Sequence, residues 1–170
     1  MSPEILRTAR PEDAAAVAAI YNHYVRHTII TFEEQEVSVE AMRARIDEIT
    51  STHPWLLADD GEVVGYAHAY PWKTRSAYRH TVESGVYLRP DAVGHGRGTR
   101  LYTELLRLLR EGGVHAVIAG IALPNPASVA LHERLGFQPV GCLREVGFKL
   151  GRWIDVGYWE VVFDSPGGRP

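Results

Sequence analysis

The stretch Val93-Gly94-His95-Gly96-Arg97-Gly98-Thr99 decides the fold, because it joins a strand-like segment to a helix-like one. Before it, residues 81–88 are rich in β-branched and aromatic side chains, which predicts a strand. After it, Leu101, Leu105 and Leu109 recur every fourth residue, which predicts an amphipathic helix. A glycine-rich turn at the start of a helix gathers free backbone N–H groups at the positive end of the helix dipole. We therefore expect this turn to bind a phosphate group.

Two familiar kinds of phosphate ligand, a dinucleotide and the nucleotide of a P-loop hydrolase, fit this turn poorly. It reads G-x-G-x-G rather than G-x-G-x-x-G, it lies in the middle of the chain, and no acidic residue ends a following strand as a ribose partner. No G-K-[ST] follows it, so the lysine of a nucleotide-hydrolysing P-loop is absent. Taken alone, the turn is also compatible with a glycine-rich connection that binds nothing.

A second strand-to-helix junction lies further along the chain. Residues 114–123 are almost continuously apolar, which predicts a buried strand. Asn125 then stands where a residue would cap a helix, with Pro126 in the first turn. Gly136 is placed to end that helix.

Both junctions together resemble one superfamily. The run Asn125-x-x-Ser128-x-x-x-His132-x-x-x-Gly136-Phe137 resembles the signature of the GCN5-related N-acetyltransferases (GNAT), with His132 where a tyrosine usually stands. The glycine turn resembles their pyrophosphate loop, with Val93 where Gln or Arg is usual, a change that removes a side chain but no backbone donor. The resemblance implies acetyl-coenzyme A (acetyl-CoA) as co-substrate and no metal. The implied cofactor-binding residues are Val86, Tyr87, Leu88, Val93, Gly94, His95, Gly96, Arg97, Gly98, Thr99, Asn125 and Ser128.

Four segments narrow the resemblance to the phosphinothricin and methionine sulfoximine acetyltransferases. These segments are residues 71–78, 82–84, 131–137 and 147–159, and the similarity extends from Ile5 to Phe163. It implies transfer of an acetyl group to the α-amine of a small amino acid analogue, a role in herbicide or antibiotic resistance or in detoxification, and a homodimer.

Three small residues leave the identity of the acceptor open. Gly85 stands where the better-known herbicide-resistance members carry threonine, and Gly120 and Ala122 lie on the neighbouring predicted strand. We expect these positions to alter the acceptor pocket without changing the type of reaction.

Glu83 and His132 are the candidate catalytic residues. An ammonium group has no lone pair for attack on a thioester, so a nearby base that removes its proton assists the reaction. Glu83 lies on the strand that leads to the glycine turn, and partial burial would raise its pKa toward the working pH. His132 lies one helical turn from Ser128, where an imidazole acts as an acid, a base or an orienting group. The alternatives are a solvent-facing or ion-paired Glu83 and a purely structural His132.

Acceptor recognition is assigned to two groups of residues. Lys73 and Arg75 are two cations close together, which suits a carboxylate, and Tyr78 follows them. Phe32 and Tyr87 are expected to pack against the acceptor side chain. The alternative for Lys73 and Arg75 is an ordinary solvated turn.

The composition is typical of one soluble α/β domain. The chain has 170 residues and a formal net charge of −3, which gives no electrostatic footprint for nucleic acid or an anionic membrane. No apolar run is long enough to span a bilayer, and the residues before the first predicted strand lack the charged-then-apolar pattern expected of a signal peptide. Cys142 is the only cysteine, which fits a reducing cytoplasm. His23 and His27 share a predicted helix face, but no third metal ligand accompanies them.

Periodicity predicts a central twisted mixed β-sheet flanked by helices, within one acetyltransferase domain at residues 1–163 and a flexible tail at 164–170. The predicted strands are 4–8, 55–58, 62–70, 78–88, 114–123, 138–150 and 153–163, the last two meeting at Gly151-Arg152. The predicted helices begin at Pro11 and Val39, after the glycine turn, and after Asn125.

Two other functions stay open at this point. One is a GNAT acetyltransferase that acts on a polyamine, an aminoglycoside or a protein N-terminus, although Lys73 and Arg75 would repel the first two. The other is a non-catalytic acyl-CoA-binding module, against which the presence of Glu83 and His132 argues.

Overall fold

One seven-stranded sheet runs through the molecule, with helices on both of its faces. The computed structural model describes residues 4–164. In chain order the elements are β1 (Ile5–Thr8), α1 (Ala14–His27), α2 (Val39–Thr50), β2 (Trp55–Asp59), β3 (Val63–Pro71), β4 (Thr81–Leu88), α3 (Arg97–Glu111), β5 (Ala116–Ala122), α4 (Pro126–Arg134), β6 (Gln138–Lys149) and β7 (Arg152–Val162). The strand order is β1-β2-β3-β4-β5-β7-β6, and only the β4–β5 pair is parallel.

Each face of the sheet has its own apolar core. On one face, Val17 of α1 and Met42 of α2 pack with Leu57 and Tyr66 of the sheet. On the other face, the predicted α3 leucines pack with residues of β4 and β5. The predicted α/β fold with a mixed central sheet is therefore confirmed. Within the described part of the chain, no helix is long and apolar enough to cross a membrane.

The parallel pair opens into a wedge soon after it forms. β4 pairs with β5 only from Thr81 to Glu83. Beyond Glu83, β4 stays bound to β3 as far as Leu88, whereas β5 stays bound to β7 as far as Ala122. Ligands of α/β sheets bind at such divergences, beyond the carboxyl ends of the parallel strands.

Most predicted element ends lie within three residues of the observed ones, and two differences are informative. The strand predicted from Tyr78 begins at Thr81, because residues 76–78 form a 3₁₀ turn in which the Tyr78 N–H donates to the Arg75 carbonyl at 2.9 Å. The last hairpin turns at Leu150-Gly151, where both residues have positive φ, rather than at Gly151-Arg152. The predicted tail lies outside the described residues apart from Asp164.

Candidate active site

The glycine turn presents the uncapped start of α3. Gly94 and Gly96 have φ values of 92° and 73°, which side-chain-bearing residues rarely adopt. Gly96 is the N-cap residue, and among residues 4–164 no side-chain cap accepts a hydrogen bond from the first helical amides. Since the first amides of a helix have no partner inside it, the turn directs these donors outward. This is the predicted phosphate cradle.

A cleft of about 410 Å³ lies against this cradle. Its lining includes five of the predicted loop residues, together with parts of β4, α1 and α4. The lining residues are Tyr24, Ile30, Val86, Leu88, Val93, Gly94, Gly96, Gly98, Thr99, Ala127, Ser128, Ala130, Leu131 and Arg134.

Four predicted cofactor residues are absent from this lining: Tyr87, which lines the second cavity described below, Asn125, which caps α4, and Arg97 and His95. The Arg97 guanidinium donates to Glu4 at 2.6 Å and to Asp60 at 2.8 Å, so its side chain ties the helix to the sheet edge. His95 is exposed and is not among the lining residues. At Arg97 and His95, therefore, only the backbone amide is left to take part in the predicted phosphate binding.

The β4 backbone also directs polar groups into the wedge. The Arg89 N–H donates to the Val64 carbonyl at 2.8 Å, so this residue faces β3. Backbone groups alternate in direction along a strand, and Val86 and Leu88 therefore direct theirs away from β3, toward the wedge. The Leu88 carbonyl already accepts a hydrogen bond from the Tyr24 hydroxyl at 2.5 Å. The Val86 and Leu88 N–H groups are the donors that remain on this side.

Asn125 caps α4, as predicted. Its Oδ1 accepts a hydrogen bond from the Ser128 N–H at 3.2 Å, and Gly136 follows the helix with a φ of 91°. Ser128 lines both the cleft and the second cavity described next.

The second cavity, of about 470 Å³, lies on the α1/α2 face of the sheet at the mouth of the wedge. It shares Ile30, Val86 and Ser128 with the first cleft, so the two are continuous. We call it the acceptor cavity. Its other lining residues are Tyr21, Thr31, Phe32, His68, Tyr70, Glu83, Ser84, Gly85, Tyr87, Gly120, Ala122, His132, Leu143, Val146, Val156 and Tyr158.

The Glu83 carboxylate stands at the apex of the wedge. Burial raises its pKa above the ordinary value, while the charge of Lys73 and the Tyr70 hydroxyl act in the opposite direction. A Cβ at Gly120 would lie 3.3 Å from Glu83 Oε1, so this glycine leaves room for the carboxylate. Because Glu83 makes no ion pair within residues 4–164, it is available to accept a proton from a ligand.

His132 is buried and both of its ring nitrogens have protein partners. Nδ1 lies 2.7 Å from the Ser128 carbonyl, so it carries the proton, and Nε2 lies 3.0 Å from the Tyr102 hydroxyl. That hydroxyl is 2.6 Å from the Ser84 hydroxyl. Burial lowers the pKa of His132, which favours the neutral ring. Both serines line the acceptor cavity, whereas Tyr102 lies behind its wall.

The predicted acceptor residues separate into two groups. Phe32 and Tyr87 line the acceptor cavity. Lys73, Arg75 and Tyr78 are exposed and lie outside its lining. The Lys73 ammonium lies over the Trp72 ring at 5.0 Å, but its charge still reaches Glu83.

Sequence reasoning missed several residues of both cavities. His68 and Tyr70 lie two apart on β3, opposite Gly85 and Glu83 of β4, so a cross-strand register would have found them. Tyr21, Tyr158 and Arg134 come from distant segments, and no local pattern identifies them. No group of three or more potential metal ligands occurs between residues 4 and 164.

Comparison with known proteins identifies the family. The family model described as "Acetyltransferase (GNAT) domain" matches residues 6–157. A phosphinothricin N-acetyltransferase of Streptomyces viridochromogenes is 41% identical, over 98% of this chain and 93% of the relative. An L-methionine sulfoximine/L-methionine sulfone acetyltransferase of Pseudomonas aeruginosa is 36% identical, over 97% and 98%.

A solved structure agrees with these relatives. The phosphinothricin acetyltransferase of Sinorhizobium meliloti in complex with AcCoA superposes with a TM-score of 0.93, at 35% identity over 98% of this chain and 92% of that one. The chain belongs to the GNAT family and is an N-acetyltransferase, which confirms the family resemblance seen in the sequence.

Proposed function

We propose that this enzyme transfers the acetyl group of acetyl-CoA to the α-amine of a small amino acid analogue, of the phosphinothricin or methionine sulfoximine type. The observation that carries the proposal is the position of Glu83. Its carboxylate ends the paired part of β4 and β5, lies in the acceptor cavity, and is next to the passage from the uncapped α3 turn. The relatives whose names state these two substrates cover nearly the whole chain.

The first cleft fits the coenzyme. Backbone amides between Gly94 and Thr99 meet the charge of a diphosphate, and Arg134 adds a cation to the same cleft. The Val86 and Leu88 amides continue the line of donors into the wedge. When bound, acetyl-CoA supplies an acetyl group activated as a thioester.

Glu83 prepares the nucleophile. The carboxylate accepts the proton that an α-ammonium must lose before its nitrogen can attack the acetyl carbon. A raised pKa makes Glu83 a stronger base than an exposed glutamate. Attack forms the C–N bond, the C–S bond breaks, and the sulfur leaves with the electron pair. The second proton that the nitrogen loses as it becomes the amide passes to the departing thiolate.

The remaining residues of the site polarise the acetyl carbonyl or orient the groups that react. The Val86 and Leu88 N–H groups, which point into the wedge, are the donors that would stabilise the negative charge developing on the acetyl oxygen. We assign His132 the orienting role among the three considered, because its nitrogens are occupied by Ser128 and Tyr102. We keep Lys73 and Arg75 as partners of the acceptor carboxylate at the mouth of the cavity, with Tyr78 beside them and Phe32 and Tyr87 against the side chain.

We also propose that the enzyme is a homodimer. β6 is an edge strand, and its hairpin with β7 carries an apolar patch whose side chains are each about half exposed: Val140, Leu143, Val146, Phe148 and Trp153. Leu143 and Val146 also line the acceptor cavity, so a second copy on this patch would complete its wall. Light scattering should show a dimer that Phe148→Asp with Trp153→Asp converts to a monomer, while Val39→Asp, an acid placed at the start of α2, leaves it intact. A monomeric unsubstituted protein at micromolar concentration would contradict the dimer.

The cytoplasm is the compartment we propose, because Cys142 is an exposed unpaired thiol, which suits a reducing environment. Resistance to an amino acid analogue is the role that fits this activity, since acetylation removes the charge of its α-amine.

A thiol-release assay tests the proposed function. The protein is mixed with acetyl-CoA and, in turn, L-methionine sulfone, L-methionine sulfoximine, L-phosphinothricin, spermidine, an aminoglycoside and a peptide with a free N-terminus. We expect release of free coenzyme A with one or more of the amino acids. Release of coenzyme A only with another amine would contradict the proposed class of acceptor. Saturable binding of acetyl-CoA without any release would indicate a binding module rather than an enzyme.

A further inference from the structure

The acceptor cavity contains an imidazole that the proposed chemistry does not use. His68 of β3 lines this cavity and also a smaller inner cavity of about 240 Å³ beneath α2. Its Nδ1 is enclosed and has no hydrogen-bond partner within residues 4–164. Burial lowers its pKa to about 4, so the ring is neutral at physiological pH. A neutral imidazole that lines a ligand cavity and has no hydrogen-bond partner in the described residues can bind a polar group of a ligand.

A glycine uncovers the edge of this ring. Gly85 pairs directly with His68 across β3 and β4. A Cβ at Gly85 would lie 3.4 Å from His68 Cε1 and 4.0 Å from Nε2. Because Gly85 has no side chain, the Cε1–Nε2 edge faces the open cavity.

The ring is also held in place. Trp55 stacks on it with a centroid distance of 4.5 Å, and Tyr70 stacks at 5.6 Å. Preorganised groups lose less freedom when a ligand binds.

The distance from Glu83 to His68 matches an amino acid side chain. Glu83 pairs with Tyr70 and Gly85 pairs with His68, so Glu83 and His68 are diagonal neighbours on adjacent strands, about 7–8 Å apart on one face of the sheet. The five bonds from the α-nitrogen of methionine sulfone to a sulfone oxygen span about 6 Å when extended. An acceptor with its amine at Glu83 and its side chain extended toward Gly85 would direct its side-chain oxygen toward the His68 ring.

The charge of the cavity favours a neutral side chain. Glu83 is the one lining residue with a formal charge at neutral pH among those the structure describes, and no cation lines the cavity beside it. An anionic phosphinate would meet the Glu83 carboxylate inside the cavity, whereas the cations whose charges reach Glu83 and His68, Lys73 and Arg45, lie outside its lining. A sulfone or sulfoximine oxygen accepts a hydrogen bond and carries no net charge.

We propose that His68, uncovered by Gly85, is the specificity-determining residue of a side-chain subsite that selects acceptors with a neutral, oxygen-bearing side chain, such as a sulfone or sulfoximine, over anionic or purely apolar ones. This inference rests on the proposed function and chooses among its substrates. Nε2 donates to the side-chain oxygen in the tautomer that leaves Nδ1 unprotonated.

The test is a ratio of specificity constants. The kcat/KM for L-methionine sulfone is divided by the values for L-methionine and L-phosphinothricin, and we expect the unsubstituted enzyme to prefer the sulfone. His68→Phe keeps an aromatic ring and removes the nitrogens, and it should lower the sulfone-to-methionine ratio about 3- to 10-fold, the effect of one hydrogen bond. His27→Phe makes the same change at an exposed position outside both cavities and should leave the ratio unaltered.

A second variant covers the ring without changing it. Gly85→Thr places a side chain over Nε2 and should lower the ratio to a similar extent, and it decides the question if circular dichroism shows His68→Phe unfolded. An unchanged ratio in a folded variant overturns the subsite while the acetyltransferase stands. If the unsubstituted protein acetylates no amino acid, the proposed function fails and the subsite fails with it.

Discussion

The two cavities that meet at the β4–β5 wedge are built from different parts of the chain. The polar part of the cleft against α3 is the backbone of its glycine turn, with Gly94, Gly96 and Gly98, beside apolar side chains and Arg134. The acceptor cavity is made of aromatic and titratable side chains, among them His68, Tyr70 and Glu83. A site made of backbone depends on local φ and ψ angles, whereas a site made of side chains depends on which strands are neighbours.

This difference predicts how the cleft and the acceptor cavity each respond to substitution. A change in the cleft should act on coenzyme affinity through backbone conformation. A change in the acceptor cavity should act on turnover, pH dependence or acceptor choice, and should leave coenzyme affinity alone.

The largest effect is expected at Glu83. Glu83→Gln keeps the size of the side chain and removes the base, so kcat should fall about 10²- to 10³-fold. The KM for acetyl-CoA should stay within about twofold, because Glu83 lines only the acceptor cavity. Steady-state kinetics check this, with Glu40→Gln on the exposed start of α2 as control. Equal losses in kcat and coenzyme affinity would contradict the assignment of turnover to the acceptor cavity and of coenzyme binding to the cleft.

A tenfold effect is expected in the cleft. Gly96 has a φ of 73° and open space around its Cβ position, so Gly96→Ala adds strain of about 1–2 kcal/mol without a clash. The KM for acetyl-CoA should rise about tenfold with kcat little changed. Gly113→Ala introduces similar strain beyond the opposite end of α3, at a φ of 82° and with open space around its Cβ position, and should leave this KM unchanged. A cleft that tolerates Gly96→Ala without a change in KM is not held by its backbone.

A smaller effect concerns the pH profile. Glu83 must be ionised to accept a proton, so activity is lost as the pH falls through its raised pKa. The charge of Lys73 lowers that pKa, and Lys73→Gln should therefore move the acidic limb of the kcat profile to higher pH. Arg75→Gln removes a neighbouring cation that has no such influence on Glu83, and its limb should stay in place. Identical profiles for the two variants would contradict the coupling of Lys73 to Glu83.

The smallest expected effect is on stability and concerns a turn outside both cavities. Leu150 has a φ of 51° in the β6–β7 turn, a conformation that asparagine adopts more readily. Leu150→Asn should raise the free energy of unfolding by about 1 kcal/mol, and Tm by about 2–4 °C. Both KM values should be unchanged. A loss of stability would show that the Leu150 side chain has a packing role.

The difference between a cleft built from local backbone and a cavity built from distant side chains also explains how much of the site the sequence predicts. The cap at Asn125, the stop at Gly136 and the glycine turn are local signals, and each one is found where it was predicted. The strand from Tyr78 was predicted too long, because its pattern does not show the 3₁₀ turn that precedes Thr81.

The acceptor cavity was predicted only in part. Glu83 was predicted from its place on the strand before the glycine turn, Phe32 and Tyr87 were predicted as contacts of the acceptor side chain, and all three line the cavity. His68 and Tyr158 enter it through sheet register, and Tyr102 reaches His132 from a different helix. Such neighbours are set by the order of strands and helices in space, which periodicity within one segment does not encode.

The central claim is that backbone amides at the start of α3 and along β4 hold the coenzyme at the wedge. It is tested most directly by two-dimensional ¹H–¹⁵N spectra of the protein titrated with acetyl-CoA. We predict saturable shifts that are largest for the amides of Gly94 to Thr99, Val86 and Leu88. An absence of saturation at millimolar acetyl-CoA, or shifts that leave these amides unmoved, would contradict the account.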